Sequence, residues 1–324
     1  MITVLLTTYN CAPYIGQAIK SILNQTYKDF EFLIIDDGSN DNTEEIINHF
    51  NDMRIRYIKK NHFGRSAALN YGLKIALFDT IALMDADDIS HPLRLEKQLE
   101  VMKGAENEIC YTRAAYFQHI NFKIRFVNES FIGEDLNRIL ALHGYFCNSS
   151  MIFNKNYFLS SGAYNEKIIC GEDYELLLRL KDKSNFIVIP EVLHFPRIRK
   201  NSLNSLVYSS NSLVIYNFQK PYYLDLTKSF RIHNILKQKE IRGWREYFYG
   251  DKKLCRVEWL KVPLIKWRFR MFIAYLISYI PSSSLNNIKD KRIKLRLEYL
   301  FRRRRKYQNL QKKFNHILNS IIQN

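Results

Sequence analysis

The sequence predicts an α/β fold, in which a mostly parallel sheet is flanked by helices, followed by a basic and mainly helical C-terminal region. Three observations support this prediction. Strand-like and helix-like segments alternate over the first 90 residues, polar clusters follow the predicted strands, and Tyr, Lys and Arg become frequent after about residue 201. Alternating strands and helices indicate parallel strands joined by crossover helices.

Short apolar runs predict the strands, and apolar residues at intervals of three or four predict the helices. The first four predicted strands are Ile2–Thr7, Phe30–Ile35, Ile55–Ile58 and Thr80–Met84. The helices between them are Tyr14–Leu23, Thr43–Phe50 and Ser66–Ala76, with Asp41 as N-cap of the second. Further along, Tyr174–Leu180 is expected to form a helix and Phe186–Ile189 a strand.

The net charge of +17 is distributed unevenly along the 324 residues. Residues 1–200 contain 23 basic and 25 acidic side chains, whereas residues 201–324 contain 26 basic and 7 acidic ones. This asymmetry predicts a polyanion or an anionic membrane surface as the partner of the C-terminal part. An apolar content of 47% excludes a disordered chain, and five cysteines without C-x-x-C spacing indicate reduced thiols rather than a disulfide framework.

No signal peptide is evident, and no segment reaches the ~20 apolar residues that cross a bilayer. We therefore expect a cytoplasmic protein that lies peripherally on the inner face of the cell membrane. Arg268–Ile280 combines aromatic and basic residues, which suits a helix lying in the membrane interface. Two alternatives are a helical cap on the N-terminal domain and a homodimer contact through the apolar face of Ile293–Ile321.

The segment Asp85-Ala86-Asp87-Asp88 places three carboxylates at the end of a predicted strand. Carboxylates this close repel one another unless a positive group is bound, and a hard divalent cation such as Mn²⁺ or Mg²⁺ suits them. The alternative is a solvated acidic turn that caps the next helix. Asp36-Asp37-Gly38-Ser39 also follows a strand, and its carboxylates suit a nucleobase or ribose as well as a simple turn.

Two further clusters have more than one interpretation. Glu172-Asp173 begins a helix, where a carboxylate acts as a cap or as a base that removes a hydroxyl proton. His194, Arg197 and Arg199 follow a strand and suit either a diphosphate or a plain surface loop. Because ligands bind beyond the carboxyl ends of parallel strands, the clusters after the first, second and fourth strands are expected at one sheet edge.

Together these segments resemble glycosyltransferase family 2, whose members have the GT-A fold. The resemblance runs from Ile2 to about Asn204 and rests on six segments in order. They are Val4–Asn10, Ser21–Tyr27, Asp36–Ser39, Gly64–Asn70, Asp85–Asp88, and the pair Gly162–Tyr164 and Gly171–Asp173. The resemblance implies a GT-A domain over residues 1–204 and a separate basic helical region over residues 205–324.

The resemblance also implies a role for each site residue. Thr7, Tyr9 and Asp37 would line a uridine pocket, and Gly64, Arg65 and Asn70 would close over the nucleotide. Asp85 would contact the ribose or the metal, and Asp87 would bind Mn²⁺ or Mg²⁺. Asp173 would be the general base, with Glu172 as its competitor. Arg197 and Arg199 would contact the diphosphate. Many relatives have histidine at the position of Arg199, so either Arg199 contacts phosphate directly in place of a third protein ligand to the metal, or His194 substitutes for that histidine.

The implied activity is inverting transfer of a hexose or an N-acetylhexosamine from a UDP-sugar to a hydroxyl of a glycan acceptor. A lipid-linked acceptor in bacterial lipopolysaccharide, capsule or exopolysaccharide synthesis would fit the basic C-terminal region. A sugar-nucleotide pyrophosphorylase is disfavoured because Thr8–Pro13 lacks a glycine-rich loop. A non-catalytic basic protein that binds a membrane or nucleic acid is the other alternative, suggested by Arg302–Lys306, but no nucleic-acid-binding module is evident.

Overall fold

The computed structural model describes residues 1–119, 121–127, 147–168, 171–199, 252–262 and 304–323. The chain forms two units, of which the first comprises residues 1–133, 145–203 and 311–324. The second unit comprises residues 134–144 and 204–310. The first unit therefore contains the predicted α/β domain together with the last residues of the chain, which the sequence-based division assigns to a separate C-terminal region.

The described part of the first unit contains ten strands and most of the helices. The strands are β1 (Ile2–Thr8), β2 (Phe30–Asp36), β3 (Ile55–Lys59), β4 (Thr80–Asp85), β5 (Ile89–Ser90), β6 (Glu108–Gln118), β7 (Ile124–Val127), β8 (Ile152–Asn154), β9 (Asn185–Phe195) and β10 (Arg197–Ile198). The helices, numbered along the whole chain, are α1 (Ala12–Leu23), α2 (Thr43–Asn48), α3 (Arg65–Ile75), α4 (Arg94–Val101), α5 (Lys155–Ser160), α6 (Glu172–Leu180), α7 (Lys252–Leu260) and α8 (Arg304–Gln323).

The strands form one mixed sheet in the order β3-β2-β1-β4-β8-β6-β9-β5, with β7 and β10 paired to β6. Strands β1 to β4 pair in parallel, which confirms the crossover arrangement expected for the first 90 residues. The other half departs from a mostly parallel sheet, because β8 runs antiparallel to both β4 and β6. Strands β1 and β2 are buried along their whole length, as strands covered by helices on both faces must be.

Helix α2 begins one residue later than an Asp41 N-cap requires. The N-cap position is Asn42, so the assignment of Asp41 to that position is wrong. Asp41 nevertheless accepts a hydrogen bond of 3.1 Å from the backbone N–H of Thr43 and one of 3.0 Å from that of Ala12. Its carboxylate thus joins the start of α2 to the start of α1.

The end of α8 packs on the sheet of the first unit. The fully buried ring of Phe314 lies 4.8 Å from that of Phe117 and 4.7 Å from that of Phe195. The side chain of Gln311 accepts a hydrogen bond from the N–H of Ile124 and donates one to the carbonyl oxygen of Phe122. The sheet of the same chain therefore covers this part of the apolar face of α8. A homodimer contact is one interpretation of that face from the sequence.

Only α7 and the start of α8 are described in the second unit. Cys255 and Trp259 are buried on α7. The predicted interfacial helix at 268–280 lies outside the described residues. Within the ranges that are described, no helix is both long enough and apolar enough to span a bilayer.

Candidate active site

The carboxyl ends of β1, β2 and β4 bring three of the predicted clusters together. Thr7 is the register partner of Asp85 on one side, and Thr8 is that of Asp36 on the other. The backbone N–H of Asp37 donates a 2.9 Å hydrogen bond to the carbonyl oxygen of Thr8. The expectation that these clusters share one edge of the sheet is confirmed.

A stacked pair of aromatic rings lies on the β1 side of this edge. The ring of Tyr9 stacks on that of His62 with centroids 4.0 Å apart, and Tyr9 remains 41% exposed. Nδ1 of His62 lies 2.8 Å from the carboxylate of Asp37. That buried carboxylate also accepts the backbone N–H groups of Phe63 and Gly64. His62 was missed in the sequence, where its only signal is a position in the loop after β3.

Arg65, the first residue of α3, connects the acidic motif after β4 to the start of α6. Its Nη2 donates a 2.8 Å hydrogen bond to the carboxylate of Asp85, and its Nε donates one of 3.0 Å to Glu172. One guanidinium therefore bonds to carboxylates that stand 87 positions apart in the chain. The sequence indicates each acidic cluster and names Arg65 as a nucleotide-closing residue, but it does not indicate that Arg65 links the two clusters.

Asp87 bonds to both arginines that follow β9. Nε of Arg199 lies 2.6 Å from the Asp87 carboxylate, and Nε of Arg197 donates a 2.6 Å hydrogen bond to the Asp87 carbonyl oxygen. Burial, together with the neighbouring Asp88 carboxylate, raises the pKa of Asp87 to about 6, although Arg199 acts in the opposite direction. Burial and the neighbouring carboxylates therefore outweigh the effect of Arg199 on this pKa.

Asp88 lies deeper and holds the motif against β9 and β10. Its carboxylate accepts hydrogen bonds of 2.7 Å from the Ser149 hydroxyl and 3.0 Å from the Arg197 backbone N–H, and Nε2 of His194 lies 2.9 Å away. Burial, reinforced by Asp85, raises the pKa of Asp88 to about 7. His194 is fully buried in β9 and Arg197 is 6% exposed in β10, so the surface-loop interpretation of these two residues is wrong.

Glu172 and Asp173 open α6 immediately after Gly171, which has a positive φ of 89°. Burial raises the pKa of Glu172 to about 7, with the Asp173 charge adding to the effect and Arg65 opposing it. Burial also raises the pKa of Asp173, whose carboxylate accepts the N–H of Tyr174 at 2.7 Å. A carboxylate with a pKa near neutrality is suited to accept a proton from a hydroxyl group.

Comparison with known proteins decides the family. A family model described as glycosyl transferase family 2 matches residues 3–160. An uncharacterized glycosyltransferase of Methanocaldococcus jannaschii is 33% identical over 223 residues, which are 63% of this chain and 77% of that protein. The chain belongs to glycosyltransferase family 2.

Other relatives differ in how much of their length this chain spans. It covers 31% of an uncharacterized Rickettsia conorii glycosyltransferase, to which it is 28% identical. It covers 85% of the Escherichia coli enzyme WfaP, a UDP-glucose:α-D-GlcNAc-diphosphoundecaprenol β-1,3-glucosyltransferase, with 29% identity over 66% of this chain. The structure of Staphylococcus aureus TarS with UDP-GlcNAc covers 86% of this chain and 79% of that chain, with a TM-score of 0.60 and 16% identity, which shows a shared fold.

The side chains of Asn70 and Arg197, both expected at the nucleotide, are held by contacts away from the acidic carboxylates of the site. The buried amide of Asn70 bonds to the backbone N–H and carbonyl of Tyr164 and to the carboxylate of Glu166. It therefore ties α3 to the loop that follows α5. The guanidinium of Arg197 donates to Gln17 at 2.7 Å and covers the Phe117 ring at 4.6 Å. These contacts give both side chains a structural role at the edge of the family 2 site.

The oxygen donors after β4 fit a hard divalent cation. Asp85 and Asp87 are partly exposed carboxylates, with side-chain exposures of 27% and 16%, and Mg²⁺ and Mn²⁺ are commonly held by one or two carboxylates plus substrate phosphates. A second group of metal-binding residue types, Asp88, Cys147 and His194, is buried. The Ser149 hydroxyl already bridges Asp88 and His194, so hydrogen bonds satisfy that group.

Proposed function

We propose that the chain is an inverting, metal-dependent glycosyltransferase that moves a hexose or an N-acetylhexosamine from a UDP-sugar to a hydroxyl of a glycan acceptor. The observation that carries the proposal is the double contact of Arg65 with Asp85 and Glu172. It joins the acidic motif for the donor to the carboxylates for the acceptor in one charged cluster. Membership of family 2 supplies the reaction class, and this cluster supplies the groups that the reaction needs.

The donor is held at the edge formed by β1, β2 and β4. Tyr9 and Thr7 line the nucleoside end, with Asp37 facing the base and Gly64 placing its N–H beside Asp37. Asp85 and Asp87 would hold Mn²⁺ or Mg²⁺, which would supply positive charge to offset the charge that develops on the leaving diphosphate. Arg199 lies beside Asp87 and adds a positive charge at the same place.

Asp173 is the group that takes the proton of the attacking hydroxyl. Glu172 is 6% exposed and its carboxylate bonds to Arg65, whereas Asp173 is less completely buried at the start of the same helix. Asp173 is therefore better placed to meet an acceptor, and Arg65 restrains its neighbour. Attack on the face opposite the departing diphosphate inverts the anomeric carbon.

The acceptor we propose is a lipid-linked glycan in bacterial lipopolysaccharide, capsule or exopolysaccharide synthesis. WfaP, which uses an acceptor on diphosphoundecaprenol, is similar over two thirds of this chain and supports this choice. The excess of 26 basic over 7 acidic residues after residue 200 suits an anionic membrane surface. The protein would then lie peripherally on the inner face of the cell membrane.

Turnover of nucleotide sugars tests the proposal. UDP-glucose, UDP-galactose and their N-acetyl forms are incubated with the full chain, with and without Mn²⁺, and released UDP is measured. Removing a general base typically costs about 10²–10⁴-fold in rate, so Asp173→Asn is expected to lose that much. Asp87→Ala is expected to lose its response to Mn²⁺. Asp52→Asn, which changes a carboxylate paired with Arg54 at the surface, is the matched control.

Normal transfer by Asp173→Asn would remove Asp173 as the base, and an undiminished response to Mn²⁺ in Asp87→Ala would remove the proposed metal role. NMR of the fresh product reports the anomeric configuration. Retention of the donor configuration would contradict the inverting mechanism.

A further inference from the structure

The contact between Arg199 and Asp87 occupies the place where a metal ligand is needed. Nε of Arg199 lies 2.6 Å from Oδ2 of Asp87, and the two side chains are 21% and 16% exposed. The pair is thus open enough for an ion from solvent to reach it. A guanidinium and a divalent cation cannot share that carboxylate oxygen at full strength, because both need its lone pairs and repel each other.

The surroundings of Arg199 hold its guanidinium in place without a second carboxylate. The guanidinium carbon lies 5.1 Å from the centroid of the Tyr14 ring, and Nη2 contacts Sγ of Cys11 at 3.9 Å. Burial raises the pKa of the Cys11 thiol, so this partner is neutral at physiological pH. Asp87 is therefore the charged partner that the structure gives Arg199, and the contact with it is direct.

Arg197 is held by other contacts and does not compete for the Asp87 carboxylate. Its Nε donates a hydrogen bond to the backbone carbonyl oxygen of Asp87, and its Nη2 donates one to Gln17. The guanidinium of Arg197 therefore contacts the backbone of the acidic motif. Arg199 and not Arg197 consequently competes for the Asp87 carboxylate.

We propose that Arg199 is a resident cation of the metal site. It neutralises Asp87 in the donor-free protein, weakens divalent-cation binding there, and moves to the diphosphate when the donor and metal bind together. This inference rests on the proposed function and adds to it a residue that couples metal binding to nucleotide binding. A guanidinium is well suited to the move, because it has five N–H donors and binds phosphate oxygens in pairs.

The proposal predicts that UDP and Mn²⁺ bind cooperatively in the wild-type chain. UDP draws Arg199 away from Asp87 and frees that carboxylate for the metal. By linkage, Mn²⁺ must strengthen UDP binding by the same factor. Removal of the guanidinium should reduce this coupling to the part that direct contact between metal and diphosphate supplies, and leave Asp87 open to the metal at all times.

The experiment measures free Mn²⁺ by electron paramagnetic resonance during titration of the full-length protein, with and without UDP. Without nucleotide, Arg199→Gln is expected to bind Mn²⁺ about tenfold or more tightly than wild type, the effect of one nearby charge on a carboxylate. With excess EDTA, the same variant is expected to bind UDP more weakly by calorimetry. Arg199→Lys retains the charge and should stay closer to wild type in both measurements.

Two variants make the result specific. Arg54→Gln breaks an arginine–carboxylate pair of similar exposure far from the site and should leave Mn²⁺ binding unchanged. Adding Asp87→Asn to Arg199→Gln should abolish the gain in Mn²⁺ affinity. Thermal melts of every variant establish that it is folded.

Unchanged or weaker Mn²⁺ binding in folded Arg199→Gln would overturn the resident-cation proposal, and so would a gain that persists without Asp87. These results are independent of turnover. Absence of UDP-sugar turnover in the wild type would instead reject the proposed function, so the two failures are distinguishable.

Discussion

Arg65 sets the charge balance of the candidate site at the scale of single residues. It bonds to Asp85 and Glu172 and lowers the pKa of both Glu172 and Asp173 against the effect of burial. A base acts only when it is deprotonated, so a lower pKa extends activity to lower pH. Arg65 therefore helps to keep the proposed base deprotonated near neutral pH.

We predict that Arg65→Gln shifts the acidic limb of the pH–rate profile to higher pH by about one unit or more. Without the guanidinium, only backbone hydrogen bonds oppose the effect of burial and mutual repulsion, so the carboxyl pKa values rise and activity falls more at pH 6.5 than at pH 8.5. Arg65→Lys keeps the charge and should shift the limb less. The profile is measured as kcat/KM for the best donor, and a variant profile parallel to that of the wild type would contradict the prediction.

At the same scale, the sequence indicates where the acidic residues cluster but not which side chains they contact. Asp85, Asp87, Glu172 and Asp173 are evident because like charges crowd at a strand end and a helix start. The position of His62 beside Asp37 is not evident, because it depends on how two loops fold toward each other across 25 positions. Such pairing is tertiary and leaves no local pattern.

Helix α3 shows how one element positions the site. It carries Arg65 at its first turn and lies so close to the sheet that a Cβ on Gly72 would be 2.4 Å from Cδ1 of Leu5 and 3.3 Å from Cγ1 of Ile35. Leu5 and Ile35 are fully buried, so neither has free space to move into. In α1, by contrast, a Cβ on Gly16 would meet Cγ2 of Ile46 at an ordinary 3.6 Å.

Substitution by alanine is therefore expected to change the free energy of unfolding in opposite directions at the two helical glycines. Gly72→Ala should lower the free energy of unfolding, because overpacking costs about 1–3 kcal/mol and exceeds the gain in helix propensity. Gly16→Ala should raise it by about 0.5–1 kcal/mol. Urea denaturation followed by circular dichroism measures both. Stabilisation by both substitutions would show that α3 has room to move away from β1.

The predicted end of a strand is wrong where a local apolar pattern is interrupted. The apolar run ending at Ile189 predicts a short strand, but β9 continues through Pro190 and Glu191 to Phe195. Pairing with β6 on one side and β5 on the other sustains it there. This extension buries His194, which the sequence places beyond the strand.

At the scale of the whole molecule, the charge asymmetry and the fold divide the chain differently. The basic excess begins near residue 201, yet residues 311–324 belong to the first unit and place Phe314 between Phe117 and Phe195. A variant truncated after residue 204 would lose this core contact as well as the basic residues of the C-terminal region. Loss of vesicle binding by such a truncation would therefore not isolate the effect of charge.

The membrane proposal is better tested by charge substitution in the full chain. Replacing Arg302, Arg303, Arg304 and Arg305 by glutamine should weaken sedimentation with phosphatidylglycerol vesicles, since each basic residue near such a surface contributes about 1 kcal/mol. The matched control replaces Arg54, Lys60, Lys74 and Lys97 of the first unit, which removes the same charge elsewhere. Binding should fall with added salt, because salt screens exposed charges. If both quadruple variants lose vesicle binding equally, net charge and not a C-terminal surface is responsible for it. If the wild type binds duplex DNA as tightly as it binds vesicles, a general affinity for polyanions replaces the membrane proposal.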